Sequence, residues 1–127
     1  MTRQPLVLIV DDNEQNRKLA SDVLRAAGLR TIVATTGTEG IALAIENLPD
    51  VVLLDLRLGD MDGTVVAREL RNDGRTAAIP VVALSATRLD DSGNWLRDAG
   101  FAGAIEKPIS VADFPDQVRS YGSASTP

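Results

Sequence analysis

The chain has 127 residues, of which 44% are hydrophobic and 24% are charged, so it can form one soluble domain with a substantial core. Its formal net charge is −5, which argues against nucleic-acid binding because phosphate backbones require a basic face. The absence of Cys and His excludes disulfides, thiolates and histidine chemistry. No apolar stretch is long enough for a membrane span or a signal peptide, so we expect a cytoplasmic protein.

The first half of the chain alternates apolar runs with helical patterns. Residues 6–10 are continuously apolar, which is typical of a strand buried on both faces. Asp12 or Asn13 then caps a helix that ends at Gly28, and residues 31–34 form a short strand. Thr36 and Glu39 fit a capping box at the start of the next helix. Apolar residues at helical spacing predict the core-facing side of the first helix: Leu19, Ala20, Val23, Leu24 and Ala27. The predicted inner stripe of the second helix is Ile41, Ala44, Ile45 and Leu48.

The second half continues this alternation. Residues 51–55 (VVLLD) predict a third strand, and a polar loop leads through Gly63 into a helix that fades near Gly74. Residues 80–84 predict a fourth strand ending at Ser85, 88–99 a weak helix interrupted by Gly93, and 101–105 a fifth strand. Ser110 caps a final helix, which Pro115 forces to kink or to start late. The inward residues predicted for that helix are Val111, Phe114, Val118 and Tyr121.

Five buried strands alternating with five helices predict a doubly wound α/β fold with a parallel sheet. We expect one domain over residues 1–121 and a frayed tail over residues 122–127. In such a sheet the functional site lies beyond the carboxyl ends of the strands. The residues that follow the strand ends are therefore the candidates for chemistry: Asp11, Asp12, Asp55, Ser85 and Lys107.

These side chains suit phosphoryl chemistry. Carboxylates crowded into one pocket repel each other, and oxygen-only ligands favour a hard cation, Mg²⁺ before Ca²⁺. Lys107 offers a compact positive charge for phosphate, and the Ser85 hydroxyl can donate to a phosphoryl oxygen. Asp55 can act as a nucleophile that forms an acyl phosphate. Asp60 and Asp62 are interpreted as shaping the turn before Gly63.

Four motifs occur in order at the predicted strand ends: VDD (10–12), DLRLGDMDG (55–63), LSA (84–86) and KPI (107–109). Together they resemble the receiver domain of bacterial two-component response regulators, over about residues 5–121. The resemblance implies a flavodoxin-like, CheY-like sheet with strand order 2-1-3-4-5. It further implies that Asp55 accepts a phosphoryl group from a partner's phosphohistidine, that Asp12, Asp55 and the backbone carbonyl of Arg57 ligate Mg²⁺ while Asp11 acts through water, and that Ser85 and Lys107 bind phosphoryl oxygens.

By this resemblance we expect a signalling module rather than an enzyme, although one that assists its own phosphorylation and dephosphorylation; it is either a stand-alone protein or a part of a larger regulator or hybrid kinase. Because it has no His, it requires a histidine kinase or a histidine phosphotransfer protein. Its output partner is a protein that contacts the predicted fourth helix, fifth strand and fifth helix. Three residues depart from the family pattern: Gly59 replaces the usual Pro, Ala104 replaces a common aromatic switch residue, and Gly93 weakens the fourth helix. Trp95 is expected to be partly exposed.

Three alternatives are weighed against this reading. A phosphate sink or shuttle without its own output is favoured slightly by Ala104. An aspartyl-nucleophile phosphatase would carry a second Asp two residues after the nucleophile, where this chain has Arg57. A flavodoxin-like nucleotide or flavin binder would need a Gly-rich phosphate loop after the first strand, and none is present there.

Overall fold

The computed structural model describes residues 4–85, 98–107 and 109–123, with only the backbone of Ser85, Gly122 and Ser123 described. Residues 98 and 99 are helical, and the rest of the helix predicted over 88–99, including Gly93 and Trp95, lies outside the described residues. The strands are β1 (Leu6–Val10), β2 (Arg30–Ala34), β3 (Val51–Asp55), β4 (Val81–Ser85) and β5 (Gly103–Glu106), and the complete helices are α1 (Glu14–Ala26), α2 (Gly37–Asn47), α3 (Gly63–Asn72) and α4 (Phe114–Ser123).

The five strands form one sheet in the order β2-β1-β3-β4-β5, and every pairing between neighbours is parallel. This confirms the doubly wound fold. The register aligns the carboxyl ends of the strands: Val10 pairs with Leu54, so Asp11 and Asp55, the next residue of each chain segment, lie side by side. Ser85 pairs with Glu106, which places Lys107 one residue beyond the end of β5.

Two hydrophobic clusters cover the two faces of the sheet. One contains Leu8 and Leu54 from the strands with Val66 and Leu70 from α3. The other contains Val7, Ile9 and Leu53 from the strands with Leu24, Phe114 and Val118 from α1 and α4. Successive residues of a strand point to opposite faces, and both faces are buried here. That requirement explains why β1 and β3 have continuously apolar sequences rather than alternating ones.

Side-chain caps begin three of the helices. The Asn13 side chain, rather than that of Asp12, accepts from the Asn16 N–H at the start of α1. Thr36 caps α2 by accepting from the Glu39 N–H, but the Glu39 carboxylate accepts from the N–H of Thr35 instead of returning to Thr36. The predicted capping box is therefore half formed. Asp62 caps α3.

Three apolar residues predicted to face inward are exposed, so those predictions were wrong. Leu19 is 43% exposed, because the inner face of α1 is occupied by Ala20 and Leu24. Leu48 is 53% exposed, because it ends α2 in the left-handed conformation and is no longer part of the helix. Val111 is 62% exposed, because α4 begins only at Phe114.

The late start of α4 agrees with Pro115 lying in its first turn, where a missing N–H costs no helical hydrogen bond. The helix continues to Ser123, so it includes the first two residues of the segment predicted to fray, and residues 124–127 lie outside the described residues. β5 begins two residues later than predicted, at Gly103. Among the described residues, no helix has the length and apolar character needed to cross a membrane.

The contrast between Leu24 and Leu19 on α1 is testable. Leu24→Ala should lower the free energy of unfolding by about 2–5 kcal/mol because it leaves a cavity in the core. Leu19→Ala, the matched change on the same helix, should cost less than about 1 kcal/mol. Urea denaturation of both variants measures the difference, and equal losses would contradict the assigned orientation of α1.

Candidate functional site

Three carboxylates meet at the carboxyl edge of the sheet. Oxygens of Asp11, Asp12 and Asp55 lie within 4.8 Å of one another. Asp11 and Asp12 follow β1, and Asp55 is the last residue of β3. The adjacency of β1 and β3 in the sheet brings them together, as the sequence predicted from the positions of the strand ends.

Asp11 is the most buried of the three, with 1% of its surface exposed. Its Oδ1 accepts from the N–H of Asn13 at 2.9 Å, and its Oδ2 accepts from Lys107 Nζ at 3.0 Å. Its own N–H donates to the carbonyl of Ala34 in β2. A buried carboxylate is tolerated only with such partners, and here the N-cap residue of α1 and the residue after β5 supply them.

Lys107 links the two sides of the cluster. Its Nζ lies 3.0 Å from Asp11 Oδ2 and 3.3 Å from Asp55 Oδ2, and its side chain is 17% exposed. One ammonium group therefore offsets part of the repulsion among three carboxylates. With all four groups ionised, two negative charges remain in excess, which favours binding of a cation beside the ammonium group.

Asp55 has a perturbed acidity. Its side chain is 13% exposed, and desolvation raises its pKa above the ordinary value of 3.8, helped by the nearby charge of Asp11. The N–H of Arg57, which donates to Asp55 Oδ1 at 3.0 Å, and the charge of Lys107 oppose this rise. The carboxylate is thus held in place by a hydrogen bond and an ion pair, while burial and the charge of Asp11 disfavour its ionised form.

The segment after Asp55, residues 56–62, forms what we call the acceptor loop. It closes through a bridge between Arg57 and Asp62 and a hydrogen bond from the Gly63 N–H to the Leu56 carbonyl. A side chain at position 63 would meet the Asp55 carbonyl at 2.8 Å and the Leu56 Cα at 2.9 Å. Glycine at position 63 is therefore required by the close approach of the loop's two ends.

The remaining predicted site residues are placed as follows. Asp12 is exposed at the mouth of the cluster. The Arg57 side chain is exposed, and its N–H rather than its side chain contacts Asp55. Ser85 ends β4, next to β3, but its side chain lies outside the described residues, as does Pro108.

Sequence reasoning missed two supporting contacts. Arg17 on α1 donates from Nη1 to the carbonyl of Asp11 at 2.8 Å, which holds the turn between β1 and α1. Asp60 accepts from the N-terminal N–H groups of α2 instead of acting only within its own turn. No local signal pointed to the second contact, which joins residues 23 positions apart.

The donor set fits Mg²⁺. All three cluster side chains offer carboxylate oxygens, which this hard cation prefers, and an ion that keeps several waters needs only a few protein ligands. The mixed exposure of the cluster, from buried Asp11 to exposed Asp12, leaves one side open for those waters. No thiolate or imidazole of this chain competes, since it has neither Cys nor His.

The raised pKa of Asp55 predicts a stabilising substitution. A carboxyl group with a raised folded-state pKa favours the native state below its ordinary pKa, and this contribution is lost as pH rises through the folded-state value. In the absence of divalent cations, Asp55→Asn should therefore raise the melting temperature at neutral pH, and the gain should shrink on acidification. Thermal unfolding in EDTA measures both effects. Asp62→Asn, a control that keeps a good N-cap, should change little, and a destabilised Asp55→Asn would contradict the assigned electrostatics.

Comparison with known proteins agrees with this geometry. Residues 7–119 match the family model described as the response regulator receiver domain. The polar-differentiation response regulator DivK of Brucella anthropi is 38% identical over 115 residues, which cover 91% of this chain and 94% of that protein.

Solved structures share the fold. The receiver domain of Francisella response regulator 1452 superposes with a TM-score of 0.87 at 24% identity, covering 97% of this chain and 100% of that one. The chemotaxis protein CheY4 of Vibrio cholerae gives a TM-score of 0.87 at 23% identity, covering 94% and 99%. Because the family model matches residues 7–119, most of the chain, this chain belongs to the response regulator receiver domain family of two-component systems.

Proposed function

We propose that Asp55 is the phosphoacceptor of a two-component phosphorelay and that its phosphorylation switches a protein-interaction face. The observation that carries this proposal is the position of Lys107 Nζ, within 3.3 Å of both Asp11 and Asp55. Such a fixed cation beside a carboxylate suits a site where negative charge develops on a phosphoryl group. Membership of the receiver family supports the same role.

In the proposed reaction, a carboxylate oxygen of Asp55 forms a bond to phosphorus while the phosphorus–nitrogen bond of a partner's phosphohistidine breaks. The leaving imidazole nitrogen keeps the electron pair and takes a proton from solvent. The Arg57 N–H, which already donates to Asp55 Oδ1, orients the carboxylate for attack. Lys107 and the Ser85 hydroxyl bind phosphoryl oxygens, so that the charge of the transition state is offset by the protein.

Mg²⁺ is the proposed cofactor. Asp12, Asp55 and the backbone carbonyl of Arg57 would hold it, and Asp11 would contribute through water. When bound, the ion neutralises charge on the phosphoryl oxygens. Asp11 would not contact the ion directly, because its carboxylate oxygens already accept from Asn13 and Lys107. Its main role would be to fix the ammonium group of Lys107.

The proposed donor is a histidine kinase or a histidine phosphotransfer protein, since the chain has no His of its own. We place the module in the cytoplasm and assign its output to a protein partner at β5, α4 and the helix that ends at residue 99. Phosphorylation would bias an existing conformational equilibrium rather than create a new fold.

A sink or shuttle role is the second candidate, because Ala104 in β5 packs half-buried against the core and offers no aromatic ring to relay a conformational change.

The first test is phosphorylation by acetyl phosphate with Mg²⁺, followed by intact-mass measurement. The wild-type chain should gain the mass of one phosphoryl group. Asp55→Asn should gain none, because the amide cannot act as the nucleophile. Asp62→Asn removes a carboxylate from the same loop and should still be labelled. Labelling of Asp55→Asn would assign the acceptor elsewhere, and no adduct combined with no binding of beryllofluoride would overturn the proposal.

Lys107 provides a second test of the mechanism. Lys107→Ala should retain the fold in the presence of Mg²⁺ but slow phosphorylation on the order of a hundredfold, as expected for loss of a fixed group that offsets transition-state charge. Lys18→Ala is the control, because Lys18 pairs with Asp22 on the exposed face of α1. Rates from a quenched time course compare the two variants. An unchanged rate for Lys107→Ala would exclude its proposed role.

A further inference from the structure

The acceptor loop is attached to α2 through one side chain. Asp60 Oδ1 accepts from the N–H of Gly37 at 2.8 Å, and Asp60 Oδ2 accepts from the N–H of Thr38 at 3.1 Å and from its hydroxyl at 3.0 Å. These three bonds connect a loop after β3 to a helix that precedes β3 in the chain. They are the only hydrogen bonds found between this loop and α2 within the described residues.

The neighbouring side chain strengthens this attachment. Met61 packs over Gly37 so closely that a side chain at position 37 would meet its Cγ at 2.5 Å and its Sδ at 2.8 Å. Glycine at the first position of α2 therefore lets the loop lie against the helix. The polar contacts of Asp60 and the apolar contact of Met61 hold the same short stretch of the loop.

The helix does not need Asp60 as its principal cap. Thr36 already occupies the N-cap position of α2 and satisfies the Glu39 N–H. The N–H groups of Gly37 and Thr38 belong to the first turn, where N–H groups have no partner within the helix, and Asp60 is an additional acceptor for them. Their hydrogen bonds lower the pKa of Asp60 below 3.8, so the carboxylate stays ionised and keeps both acceptors at neutral pH.

The contacts that close the loop on itself, the Arg57–Asp62 bridge and the Gly63–Leu56 hydrogen bond, do not involve residues 59 and 60. Gly59 lies directly before Asp60, and a side chain there would be 3.8 Å from Asp12 Oδ2, so this part of the loop borders the carboxylate cluster. Glycine has the largest backbone freedom of any residue. Arg57, whose carbonyl is a proposed metal ligand, lies two residues before Gly59, and its bridge to Asp62 connects it to the stretch of the loop that Asp60 attaches to α2.

We propose that Asp60 is a positioning residue for the metal site, which fixes the acceptor loop on α2 and so holds the Arg57 carbonyl in place beside Asp12 and Asp55. This inference rests on the proposed function. Residues that orient metal ligands from outside the ligand set commonly change metal affinity by about 10–100-fold when removed. Thr36 offers a matched comparison, because it caps the same helix and, within the described residues, makes no hydrogen bond to the loop.

The experiment measures Mg²⁺ affinity by calorimetry and amide exchange of residues 56–62 by mass spectrometry in wild type, Asp60→Ala, Asp60→Asn and Thr36→Ala. Asp60→Ala should weaken Mg²⁺ binding about tenfold and accelerate exchange in the loop. Asp60→Asn, which keeps one acceptor oxygen, should lie between wild type and Asp60→Ala. Thr36→Ala should lower the melting temperature through loss of the cap while leaving Mg²⁺ affinity and loop exchange unchanged.

The outcomes separate the two proposals. Wild-type affinity and wild-type loop exchange in Asp60→Ala would show that Asp60 only caps α2, and would overturn the positioning role while the proposed function stands. Equal loss of Mg²⁺ affinity in Asp60→Ala and Thr36→Ala would overturn it as well, because the helix rather than the loop contact would then be responsible. A wild-type chain that binds no Mg²⁺ would overturn the metal site itself and the positioning role with it.

Discussion

The crowding of three carboxylates at one edge of a parallel sheet is the constraint on which the rest of this structure depends. Asp11, Asp12 and Asp55 approach within 4.8 Å, and such a cluster is unfavourable unless cations or hydrogen-bond donors compensate it. Within the described residues, the ammonium group of Lys107 provides the cationic part. Because this repulsion lowers the stability of the fold, the cluster points to a functional role such as cation binding.

Burial of apolar side chains elsewhere in the fold offsets the repulsion within that cluster. Parallel strands buried on both faces supply two apolar clusters, and the stability from this burial allows the sheet edge to hold poorly compensated charges. The two less exposed carboxylates are also the ones with partners: Asp11 bonds to Asn13 and Lys107 and Asp55 to Arg57 and Lys107, whereas the more exposed Asp12 can rely on water. Burial and pairing therefore increase together across the site.

In the acceptor loop and at its contacts, glycines permit close packing and carboxylates supply the attachments. Gly63 allows the loop to close on the end of β3, and Gly37 allows it to pack against α2. Asp60 and Asp62 each accept hydrogen bonds from the first turn of a helix, α2 and α3 respectively. Carboxylates at helix N-termini are favourable because the partial charge there is positive. The charges of Asp60 and Asp62 are therefore stabilised by helix N-termini rather than added to the carboxylate cluster.

Much of this arrangement could be predicted from residue patterns, and the failures have physical causes. The strand assignments succeeded because a parallel strand must be apolar on both faces, a pattern that few other elements share. The inward assignments of Leu19, Leu48 and Val111 failed because helical spacing indicates a face but not where a helix begins and ends or how far its buried stripe extends. Asp60 was read as a local turn residue because its partners, Gly37 and Thr38, are distant in the chain.

The sequence by itself determined the class of fold, the edge of the sheet where the site lies and the identity of the charged groups, because the residue after each buried strand is set by the chain. Only the tertiary structure decided how these groups interact. It placed one ammonium group between Asp11 and Asp55, chose Asn13 rather than Asp12 as the helix cap, and attached the acceptor loop to α2 through Asp60. These are contacts between segments far apart in the chain, and their distances depend on strand register and helix packing, which no local pattern specifies.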